Sequence, residues 1–138
     1  ITDTDMETFY DLLRAYRYSI GIADLGLFRR EYSQTSRFVS RPHIFEKPVT
    51  AASIIVSEFI PEGWDSTKSW IMYEISHDGT TWQRVSPQNT EVTDSAVVHF
   101  PATQRLYLRA TLERPSDRPT ESPAIEYYAI KAILEGAV

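Results

Sequence analysis

The stretch Trp70-Ile-Met-Tyr-Glu-Ile-Ser-His-Asp-Gly-Thr-Thr-Trp82-Gln-Arg-Val85 constrains this chain more than any other. Apolar and polar residues alternate on either side of Asp78-Gly79, and a two-residue period places alternate side chains on opposite faces of a strand. A Gly at the turn supplies the positive φ that a tight reversal needs, so the segment predicts a β-hairpin. Nothing in it carries catalytic chemistry.

The other strand signals follow the same logic. Arg105 to Glu113 sets Leu106, Leu108, Ala110 and Leu112 on one face and Arg105, Tyr107, Arg109, Thr111 and Glu113 on the other, which predicts one face on a core and one toward water. Ala51 to Val56 is nearly all apolar or small, the pattern of a strand buried on both faces, within a longer strand over Val49 to Ile60. Tyr16 to Ile22 alternates, Leu25 to Tyr32 and Phe38 to Ser40 are weaker signals, Ala96 to Phe100 predicts a short strand, and Ala124 to Leu134 a final one. Pro61 to Lys68 reads as a loop, as does Arg114 to Pro123, where three prolines remove ladder donors.

One segment departs from the strand period. Thr4-Asp-Met-Glu7 has the form of a capping box, and Met6, Phe9, Leu13 and Tyr16 recur at three- and four-residue spacing. These predict a short N-terminal helix within residues 1–15, packed on a sheet edge or a partner, ahead of a β domain over residues 16–138. The expected fold is all-β: an antiparallel β-sandwich or jelly roll of about eight strands with that one helix.

A chain of 138 residues can bury one real core. With no cysteine, neither a disulfide nor a thiolate-bound metal holds it. No apolar run has the length of a membrane span, and the first residues lack the pattern of a signal peptide. The absence of Met at position 1 reads as a module of something longer, or equally as a processed terminus. The formal charge is −5; residues 48–104 hold seven acids and two bases, while acids and bases balance on both sides. That acidity argues against nucleic acid as a partner, and Arg29, Arg30, Arg37 and Arg41 read as solvated positions balancing nearby acids.

Tyr73 to Trp82 resembles the strand-turn-strand signature of galactose-binding-like, discoidin-type jelly rolls, in which a Ser-x-Asp-Gly-x-x-Trp segment recurs. Arg105 to Leu112, the proline-rich loop and Ser122 to Tyr128 look like the closing strand pair of that fold. The order Phe38-Val-Ser40, Phe59 to Trp64, Trp70 to Pro87 and then the Arg105 strand is similar to β-sandwich modules of tailed-bacteriophage virion proteins. That resemblance implies a virion location, a homo-oligomer, and contacts with other virion proteins in capsid, neck, tail or baseplate. It implies no turnover, cofactor or membrane. The alternative is a carbohydrate-binding module that attaches to glycans, since the same superfold hosts sugar binding, lipid binding and structural duties.

For a binding site the sequence offers Trp64, Asp65 and Lys68 in a polar loop. Trp64 reads as the better exposed candidate, with Asp65 and Lys68 available to bond hydroxyls, yet folding back to cap the sandwich or entering a partner protein is favoured over serving as a sugar platform. Trp82 offers a face on which a sugar ring could stack, but reads as a core residue that seats the hairpin. Tyr127 and Tyr128 fall on opposite faces, one ring in the core and one at the surface. His43, His77 and His99 lack metal-ligand spacing, and His77 beside Asp78 reads as a solvated turn residue. No nucleophile elbow, phosphate loop or EF-hand loop is present, so no catalytic residue, metal or cofactor is expected, although a calcium held by loop carbonyls would leave little trace.

Overall fold

The computed structural model describes residues 8–13, 18–19, 22–25, 30–87 and 97–136. Among them every regular element is a strand: β1 (Thr8–Leu13), β2 (Tyr18–Ser19), β3 (Ile22–Leu25), β4 (Arg30–Tyr32), β5 (Thr35–Val39), β6 (His43–Phe59), β7 (Ile71–Ser76), β8 (Trp82–Val85), β9 (Val98–Glu113) and β10 (Ala124–Leu134). The main sheet runs β1-β10-β6-β9-β7-β8, with β2 also on β10 and β5 also on β9, while β3 and β4 form a separate pair. All these pairings are antiparallel.

The expected N-terminal helix is not seen. Thr8–Leu13 is a strand paired along its whole length with β10, from Thr8 opposite Ile133 to Leu13 opposite Tyr128. A short helix is marginal by itself, whereas six ladder positions close an edge of β10 that would otherwise leave its amides and carbonyls unpaired. Thr, Phe and Tyr suit a strand, and so few apolar residues are compatible with either period. The Thr4 to Glu7 capping box and Arg29 lie outside the described residues.

The hairpin forms as read, with Tyr73 opposite Val85 and Ser76 opposite Trp82. The strand signal expected over Ala96 to Phe100, from Val98 on, and that over Arg105 to Glu113 are parts of one 16-residue strand, β9, and Ala96 lies outside the described residues. Its first half pairs with β6, and its second half lies between β7 and β5. Pro101 does not end the strand, because a single missing donor is tolerated where the ladder is irregular, and the β6–β9 register shifts near Val49. Residues 51–54 of β6 are all buried, as expected of a strand covered on both faces, whereas Ile55 and Val56 at the end of the same run are only partly buried.

The core draws on β6 (Phe45, Val49, Ile54), β10 (Ile125, Tyr128, Ile130), β7 (Ile71, Tyr73, Ile75) and β9 (Leu106, Leu108, Leu112), which belong to one cluster. Tyr128 crosses it: its ring meets Phe38 of β5 edge-on at 6.4 Å, and its hydroxyl lies 2.9 Å from Nε2 of buried His43. Just beyond β5, Ser40 extends the ladder with its side chain. Its amide donates to the Leu108 carbonyl, and its hydroxyl accepts from the Leu108 amide at 2.9 Å. A buried backbone donor is thereby satisfied where the chain leaves the sheet.

Candidate functional site

The β6–β7 connection, residues 60–70, makes two turns, with the Trp64 amide donating to the Pro61 carbonyl and the Lys68 amide to that of Asp65. Gly63 at φ +90 permits the first, and a Cβ there would come within 3.3 Å of the Arg118 guanidinium. Trp64 is therefore carried inward rather than outward. It is 8% exposed, folded back on its own domain instead of standing out as a sugar platform, and meets Trp70 edge-on at 5.1 Å. Its Nε1 donates to Glu121 at 2.8 Å, and Glu121 also accepts from Arg118. Trp64 thus fastens the 60–70 loop to the proline-rich loop. The Glu121 carboxyl is held below its ordinary pKa, first by the indole donor and then by Arg118.

Asp65 and Lys68 stand beside it with partners of their own. Asp65 accepts from the amide and hydroxyl of Thr67, which lowers its pKa, and its carbonyl accepts from Trp70 Nε1 at 3.0 Å. Lys68 lies 4.4 Å over the Trp70 ring and 3.3 Å from Glu113. The three residues named from sequence do share one cleft of about 490 Å³, with Glu58 and Trp70 also in its walls. Neither tryptophan turns a bare ring face to it, since Trp64 is buried and Lys68 covers Trp70. Glu58 of this cleft accepts from the hydroxyl of core Tyr73, and burial, reinforced by that carboxylate, pushes the phenol far above its ordinary pKa.

The hairpin turn is built around Asp78. Its carboxylate accepts from the amides of Thr81 and Thr80 and from the Ser76 hydroxyl, and Ser76 in turn accepts from the Asp78 and Gly79 amides. Those donors, the Thr81 amide first, hold the Asp78 carboxyl well below the usual range. His77 is not the solvated residue expected. Its side chain is 23% exposed, and its ring stacks parallel to Phe100 at 6.5 Å. Among the described residues no three His, Cys, Asp or Glu gather as a metal site. Tyr128 is core and Tyr127 is 41% exposed, as the alternation implies.

A second surface emerges only from the strand order. In an antiparallel ladder, paired residues share a face. Because Leu108, Ala110 and Leu112 point into the core, Tyr107, Arg109 and Thr111 point away, joined by Arg37 and Val39 of β5, Met72 and Glu74 of β7, and Trp82 and Arg84 of β8. Arg105 continues the β9 row, with Ile44 opposite it. Arg109 donates from Nε to Glu74 at 2.8 Å, and its guanidinium lies 4.3 Å over the Trp82 ring. The Glu74 carboxyl is held down by this bond first, and also by Arg37 and Arg84. Val39 is 51% and Ile44 70% exposed.

Trp82 therefore sits half-buried on the outer face, not in the core. The hairpin register carried this signal: with Val85 on the core side, a residue three positions earlier falls on the other. The gathering of Arg37, Arg84, Arg105 and Arg109 had no local signal, since they come from three strands distant in sequence. Compared with family models, with curated proteins and with solved structures, the chain finds no match.

Proposed function

We propose that this chain is a non-enzymatic β-sandwich module of jelly-roll type that acts through protein-protein contacts in a larger assembly. The sandwich reading is supported by the single core shared by β6–β10 and β5–β9–β7, across which Phe38 meets Tyr128. A structural protein of a tailed-phage virion is the specific form we favour, on the likeness of the Phe38–Ser40, Phe59–Trp64 and Trp70–Pro87 segments to such modules.

The observation that carries the binding role is the outer face of β5, β9, β7 and β8. Trp, Tyr, Met and Arg are the residues enriched at protein interfaces, and this face collects Trp82, Tyr107, Met72 and four arginines beside exposed Val39 and Ile44. Arg109, locked between Glu74 and Trp82, is pre-organised, so little side-chain freedom is lost when a partner covers it. The buried position of Trp64 weakens the sugar-platform alternative.

The test is the molar mass of the purified chain by sedimentation from micromolar to submillimolar concentration, with Trp82→Ala and Tyr107→Ala in parallel. Association that falls by more than about tenfold in both variants, as loss of interface anchors of about 2 kcal/mol each requires, supports the reading. A wild-type chain that stays monomeric throughout refutes it.

A further inference from the structure

The charge on the outer face is opposite to that of the chain carrying it. Arg37, Arg84, Arg105 and Arg109 project from this face, with Glu74 bonded to Arg109 among them, exposed Glu46 alternating outward with Ile44 on β6, and Glu113 at the far end of the β9 row held by Lys68. The chain as a whole is formally −5. Part of the compensating acidity is concentrated at one end of the main sheet, where Glu58, Glu62 and Asp65 are all exposed and two of them, Glu58 and Asp65, wall the cleft beside Trp70. The cation of that loop, Lys68, is engaged by Glu113 and the Trp70 ring.

From this polarity we infer that the arginine face binds the acidic 58–66 end of a second copy of the chain. The inference rests on the assembly reading above and names its partner and geometry. The two patches differ in sign, so neither can meet its own kind, and each contact joins the arginine face of one copy to the acidic end of the other. Where the two patches of a pair engage reciprocally the contact closes as a two-fold dimer, and where they do not it leaves one free patch at each end and propagates into a ring or a filament. Arginine is suited to the basic side, because its planar fork engages carboxylates with two bonds. Exposed Val39 and Ile44, with half-buried Trp82, supply the apolar area that charges alone do not.

Two variants test it, each checked for a native far-UV spectrum. Arg84→Glu with Arg105→Glu reverses the basic face and leaves the Arg109–Glu74 pair intact. Glu62→Lys with Ser66→Lys reverses the acidic end and spares both the Asp65 turn and the Glu58–Tyr73 bond. Each variant alone is expected to associate at least tenfold more weakly than wild type, and an equimolar mixture to recover 1:1 complexes by native mass spectrometry. Wild-type association is expected to weaken at least tenfold as salt is raised to the order of 1 M, where screening acts over about 3 Å. If wild type associates but either variant does so equally well, or the mixture yields no 1:1 complex, this inference is overturned while the assembly reading stands. If wild type never associates, both fall.

Discussion

Replacing Trp64 by Ala tests whether this residue is a tie between loops, as its burial implies. A buried Trp removes about 200 Å² from water, and Ala retains only part of that; losing about 130 Å² at roughly 25 cal/mol per Å² costs about 3 kcal/mol. The expected loss is therefore about 3 kcal/mol, within the range for aromatic truncations, and the melting temperature should fall by about 10 °C for a domain of this length. Urea unfolding followed by far-UV circular dichroism is the suitable assay, since the substitution itself alters tryptophan fluorescence. Trp64→Phe keeps most of the ring but removes the Nε1 donor to Glu121, and should lose less stability than Ala. It should also let the Glu121 carboxyl rise toward its ordinary pKa, because the indole bond is the first cause of its depression. A Trp64→Ala chain within about 1 kcal/mol of wild type would refute the tie, placing the residue among surface positions that contribute little.

Three further outcomes are expected. Ser40→Ala leaves the buried Leu108 amide without its acceptor and should cost about 1–3 kcal/mol, with hydrogen exchange of that amide accelerated; unchanged exchange would show that the Ser40 bond is dispensable. The Asp78 carboxyl has a folded pKa below its ordinary 3.8, so its contribution is complete above that value and is lost as pH falls through the depressed one. Acid titration should accordingly destabilise wild type below about pH 4 more steeply than Asp78→Asn, and parallel curves would contradict the turn geometry. The Tyr73 phenol has a folded pKa raised above 10.0, so its contribution is complete below pH 10.0 and is lost as pH rises beyond it. Tyr73→Phe should flatten the alkaline limb of the stability curve, read by chemical unfolding at fixed pH values; an unchanged limb would contradict the raised pKa.

Much of the architecture was legible because strand period and turn chemistry are local. The 71–85 hairpin, the Ala124–Leu134 strand, the proline-rich loop and the double-sided burial of residues 51–54 all follow from side-chain alternation, Gly and Pro. Thr8–Leu13 holds Phe9, Tyr10, Leu12 and Leu13 around Asp11, a spacing that fits either period, and the choice between helix and strand rests on the open edge of β10, more than a hundred residues away. The places of Trp64 and Trp82 were decided for the same kind of reason. Glu121, 57 residues along the chain, draws Trp64 inward, and the pairing of β7 with β8 and β9 sets Trp82 outward beneath Arg109.

The sequence by itself determined the class: an all-β chain with one cysteine-free hydrophobic core, an acidic balance, and alternating strands whose polar rows must face water. It also brought forward Trp64, Asp65 and Lys68, which do share a cleft. Only the tertiary structure decided that this cleft offers no bare aromatic platform, and that Arg37, Arg84, Arg105, Arg109, Trp82 and Tyr107 form one surface. The physical reason is that alternation assigns a residue to a face of its own strand. Strand order and register, which depend on burying every apolar face at once, decide which residues of other strands stand beside it.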